Sequence, residues 1–81
     1  MNNDVTTREF GLLLKRCGYF QADFARFIDR SPAFVHKLCI YSREDKVPYR
    51  WVEQARLMVG AENFEAALTQ ARDYIESRRK K

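Results

Sequence analysis

The stretch FQADFARFIDRSPAFVHKL, Phe20 to Leu38, decides the fold. It holds two helix starts too close together for two helices of ordinary length. From Gln21 the apolar positions Ala22, Phe24, Ala25, Phe27 and Ile28 recur at helical spacing. Asp23, Arg26 and Arg30 fall on the other side, which predicts a helix of about two turns. Ser31 then offers a hydroxyl cap, and Pro32 takes the first helical position, where its missing N–H costs nothing. Phe34, Val35, Leu38 and Cys39 give the next helix a buried stripe, leaving Ala33, His36, Lys37 and Ile40 largely on the opposite face. Two such short helices must share a tight turn around Asp29-Arg30 and pack across each other.

Upstream, Met1 to Val5 read as a short polar lead. Thr6 and Glu9 form a capping box that opens a first helix, Thr7 to Cys17. Its stripe is Phe10, Leu13, Leu14 and Cys17, with Lys15 and Arg16 outside, and Gly18 closes it. Downstream, YSREDKV, Tyr41 to Val47, is a polar loop. Pro48 starts a fourth helix that carries Trp51, Val52, Ala55, Leu57, Met58 and Val59 to Gly60. A fifth begins near Glu62 or Asn63, with Phe64, Ala67, Leu68, Ala71, Tyr74 and Ile75 ahead of the basic end SRRKK. Phe24, Phe27, Phe34 and Trp51 are expected in the core. Nowhere do apolar residues alternate for more than a few positions, so no strand is predicted. Residues 1–81 are expected to form a single all-α domain of five helices.

Bulk properties narrow the function. A formal net charge of +4 over 81 residues favours an acidic partner such as nucleic acid. Cys17 and Cys39 lack metal-ligand spacing, and with one histidine in the chain no zinc site is expected. They read as reduced thiols of a cytoplasmic protein. No basic region followed by an apolar run marks a signal peptide, and no apolar segment approaches membrane-spanning length. There is no Ser–His–Asp set, phosphate-binding glycine loop or metal cluster, so neither catalysis, a cofactor nor a small-molecule ligand is expected.

The central stretch resembles the helix-turn-helix of the Cro and repressor family of phage DNA-binding domains. Those domains open their second helix with Gln, follow with an apolar-Ala pair and a turn Gly, and cap the third helix with Ser. They place a Val or Ile midway along that third helix. Gln21, Phe24-Ala25, Ser31, Val35 and Leu38 match, and the resemblance covers roughly residues 6 to 60, with the helix-turn-helix unit at 21–40. Three residues depart from the pattern. Asp29 stands where Gly is usual, a mild cost because Asp tolerates the left-handed conformation. Arg30 replaces an apolar turn residue, and Phe20 stands where a Ser or Thr cap is common. The resemblance implies a five-helix lambda-repressor-like domain. In size and style it is similar to small phage autorepressors, including those encoded beside anti-CRISPR genes.

Within that resemblance, the exposed face of the third helix enters a major groove. The implied base-contacting residues are Ser31, Ala33, His36 and Lys37, with Ile40 at the far edge. The implied phosphate contacts are Gln21, Tyr41, Ser42, Arg43, Lys46, Tyr49 and Arg50. Residues 31–50 hold four basic and two acidic side chains, a net of +2. Residues 62–76 hold four acidic side chains against Arg72 alone, a net of −3, which makes a poor surface for DNA. The stripe Phe64, Leu68, Ala71 and Ile75 must be buried elsewhere, and a homodimer interface over about 62–78 is the expectation. A helix packed on its own domain is the alternative. The function the resemblance implies is a phage or mobile-element repressor that binds an inverted-repeat operator in double-stranded DNA, that of its own operon. The rival is an antitoxin-like or adaptor module that uses the same fold to bind a protein.

Overall fold

The computed structural model describes residues 4–40 and 44–79 and is all-helical. The elements are α1 (Thr7–Arg16), α2 (Gln21–Ile28), α3 (Pro32–Leu38), α4 (Tyr49–Val59) and α5 (Ala61–Arg79). Among the described residues there is no strand, only an isolated antiparallel bridge between Thr6 and Lys46.

The helix ends follow from local chemistry. Thr6 Oγ1 accepts from the Glu9 N–H at 3.2 Å, and Glu9 Oε1 accepts from the Thr6 N–H at 3.0 Å, a complete capping box. Gly18 follows α1 with a φ of +83°, which suits a residue without a Cβ. At the start of α2 only half a box forms. Asp23 Oδ2 accepts from the Phe20 N–H at 2.8 Å, and Phe20 has no side-chain oxygen to return the bond. Pro48 stands just outside α4 as its cap rather than as its first residue. α5 starts at Ala61, one or two residues before its expected start. It runs through Arg78 and Arg79, so the beginning of the basic end is helical; Lys80 and Lys81 lie outside the described residues.

The core is built around Phe10, Phe24 and Phe64, each fully buried. Phe10 of α1 meets Phe24 of α2 edge-to-face, with ring centroids 5.4 Å apart. α5 packs along α1 and α4, and Phe64, Ala67, Leu68, Ala71 and Ile75 all lie inside. Arg56 joins α4 to α5 by lying over the Phe64 ring and pairing with Glu65 at 3.1 Å. Val5 and Val47 are also buried, although the sequence pattern places the first in a polar lead and the second in a loop. The reason is a backbone splice. The Thr7 N–H donates to the Asp45 carbonyl and the Val47 N–H to the Val5 carbonyl, both at 2.7 Å, drawing the two segments together over the core.

Six apolar residues are less buried than expected. Phe27 is 46% exposed and Ala22 lies outside as well, because on a two-turn helix only Phe24, Ala25 and partly Ile28 point at the core. Leu57 is 67% exposed, since Val52, Ala55 and Val59 already define the inner face of α4. Tyr74 is 42% exposed and lies under the guanidiniums of Arg16 and Arg78. Phe34 and Trp51 are only partly buried.

Candidate nucleic-acid interface

The turn between α2 and α3 consists of Asp29, Arg30 and Ser31. Asp29 adopts the left-handed conformation, φ 57° and ψ 48°, the position where the resemblance expects Gly. The Arg30 N–H donates back to the Ala25 carbonyl at 2.9 Å, closing the end of α2 in a tight reversal. Ser31 Oγ then accepts from the Phe34 N–H at 3.2 Å, with Pro32 at the first position of α3. Val35, Leu38 and Cys39 face inward, and burial pushes the Cys39 thiol up to about 12.

That inward set leaves Ser31, Ala33, His36 and Lys37 exposed together on α3. All four residues expected to read bases therefore lie on solvent, with Ile40 half-buried at the edge. They present two ring nitrogens, one ammonium, one hydroxyl and one methyl, and no carboxylate.

The expected phosphate contacts divide into four groups. Tyr49 and Arg50 are exposed at the start of α4, beside α3 through the edge-to-face pair Phe34–Trp51, whose centroids are 5.2 Å apart. Gln21 is half-buried at the first residue of α2. Lys46 is exposed but drawn toward α1, bridged to Thr6 and paired with Asp4 at 3.2 Å. Such a pair between exposed groups holds it only weakly, by well under about 1 kcal/mol. Tyr41, Ser42 and Arg43 lie outside the described residues. Around the same loop, Glu44 receives Arg79 and lies 3.6 Å from Arg8. The hydrogen bond from Arg79, and then the charges of Arg79 and Arg8, hold its carboxyl below the ordinary range.

Arg30 was not among the expected contacts, yet it stands at this face. Its guanidinium lies 5.3 Å from the Phe34 ring and 5.3 Å from the Trp51 ring. Sequence carried a partial signal for it, because Arg30 stands in the turn only four residues before Phe34. The partner Trp51 carried none, being distant in sequence.

The expected dimer stripe lies inside the single chain, as the alternative of a helix packed on its own domain has it. Phe64 and Ala71 are fully buried and Leu68 and Ile75 nearly so within a single chain, against α1 and α4. An amphipathic helix as long as α5 covers a large part of a core this small, so the domain uses that stripe itself. Among the described residues no helix is long and apolar enough to cross a membrane. In comparisons with known proteins, no family model matches the chain, and no curated protein or solved structure does either.

Proposed function

We propose that the chain is a lambda-repressor-like helix-turn-helix protein that binds specific DNA and represses transcription by occluding a promoter. In this reading it is a phage or mobile-element regulator, acts on its own operon, and lays α3 in the major groove. The observation that carries the reading is the combination of a left-handed Asp29 turn with an α3 face of Ser31, Ala33, His36 and Lys37. That face is polar or small, basic, free of carboxylates, and rigidly backed by Val35 and Leu38. Lys37 suits guanine acceptors or phosphate, and Ala33 suits close approach to a thymine methyl. Dimerisation belongs to the proposal through surface other than the buried α5 stripe, since two half-sites lie about 34 Å apart on one DNA face.

The test is fluorescence anisotropy with the duplex immediately upstream of the gene, against a scrambled duplex, across a salt series. The expected result is tight, sequence-dependent binding that weakens steeply with salt. Weak binding, equal on both duplexes, overturns the proposal. The second reading, a helical module that binds a protein, draws on the exposed aromatics Phe20 and Phe27, 77% and 46% accessible.

A further inference from the structure

Two guanidiniums converge on one indole. Arg30, from the α2–α3 turn, and Arg50, from the first turn of α4, each lie 5.3 Å from the centroid of Trp51. Both arginines are exposed. Among the described residues neither has a carboxylate within ion-pair distance, and Asp29, next to Arg30 in sequence, pairs with neither. Arg8, Arg26, Arg56, Arg72 and Arg79 all meet acidic side chains, whereas Arg16 and Arg78 lie over Tyr74, away from α3. Two guanidiniums held on one ring with no paired carboxylate are open to an external anion. The ring holds both planar forks in place, so less freedom is lost when they bind.

We infer that Arg30 and Arg50, seated on Trp51, form a clamp for one phosphodiester of a nucleic-acid backbone, next to the exposed face of α3. The inference rests on the DNA-binding reading and deepens it, adding Arg30 and the Trp51 platform to the interface. Phosphate is favoured over a carboxylate by the neighbourhood. Phe34 links the pair to α3, and Lys37 follows Phe34 by one helical turn, so three cations outnumber the one nearby acid, Asp29, which pairs with neither arginine. Planar guanidiniums match a phosphate's paired oxygens.

Trp51 is the single tryptophan, so it reports on its own site. The experiment titrates the full chain and its R30Q/R50Q variant with the upstream duplex, following both anisotropy and Trp51 emission, over a salt series. The wild type is expected to bind with a change in Trp51 emission. The double variant, shown by circular dichroism to keep its helicity, is expected to bind at least about tenfold more weakly. Its slope of log affinity against log salt should be shallower by about 1, as one phosphate contact is lost. R30K, which keeps charge but not the planar stack, should recover only part of the loss. A wild type that binds the duplex, beside a double variant with the same affinity and slope, overturns the clamp and leaves the DNA reading standing. A wild type that binds no duplex overturns the DNA reading itself. An emission change with inorganic phosphate at the same phosphate concentration, as large as that with duplex, overturns the assignment to a polymer backbone.

Discussion

Ser31 Oγ accepts the Phe34 N–H at 3.2 Å, and through that bond the cap of α3 positions the ring on which Arg30 rests. The same few residues thus set the turn, start the helix and shape the basic surface beside it.

The turn is the first place to measure. Ser31→Ala removes the cap and should lower stability by about 1 kcal/mol. Asp29→Gly, which relieves the left-handed strain, should raise it by up to about 1 kcal/mol. Thermal melts of both variants decide it; a Ser31→Ala protein as stable as the wild type contradicts the capping geometry.

Two phenylalanines of α2 should behave oppositely. Phe24 is fully buried against Phe10, so Phe24→Ala should cost about 3–5 kcal/mol. Phe27 is half in water, so Phe27→Ala should stay within roughly 1 kcal/mol. Urea titrations of the pair give both numbers, and equal costs would mean that α2 is rotated from its described setting.

Should the repressor reading hold, His36→Ala with Lys37→Ala should weaken operator binding by more than about tenfold while helicity is unchanged. Anisotropy beside circular dichroism separates the two effects. Binding that survives both changes points to a different face.

Acid should act through Glu44. Its carboxyl is held low by the hydrogen bond from Arg79 and the charges of Arg79 and Arg8. A group depressed on folding contributes stability fully above its unfolded value, near about 4.3, and loses it as pH falls through the folded value. Wild-type melting temperature should therefore fall more steeply between about pH 5 and 3 than that of Glu44→Gln. Parallel curves would show that the Arg79 contact contributes nothing in solution.

Base should act through Cys39. Burial raises its thiol to about 12, so the neutral form is favoured in the folded chain. That contribution is complete below the unfolded value, near about 8.5, and is lost as pH rises from there toward 12. Cys39→Ala should flatten the alkaline decline. In native protein a thiol reagent should reach half-exposed Cys17 first and Cys39 only after unfolding.

Much of this fold was legible because its signals are local. The Thr6–Glu9 box, Gly18, and the Ser31-Pro32 start each act within one turn, and each stands where the residues put it. What was missed depends on contacts across the chain. Val5 and Val47 look unremarkable alone and become core only through the splice of backbone between them. Phe27 and Leu57 fit an apolar stripe by type, but short helices present only a narrow inner face. The α3 surface could be read from periodicity, whereas the seat of Arg30 required Trp51 to arrive from the far side of a loop. The buried stripe of α5 was visible as a stripe; whether it met this chain or a second copy is not written in its spacing.

The length of α5 bears on how the protein is made. Phe64 and Ala71 complete a core begun by Phe10, and Arg72 reaches back to Glu9 and to the Asp4 carbonyl. A chain still emerging from the ribosome has α1 to α4 but lacks the wall against which α1 rests. The core therefore closes only once α5 has been made, so it should form in one late step and not progressively as α1 to α4 are synthesised.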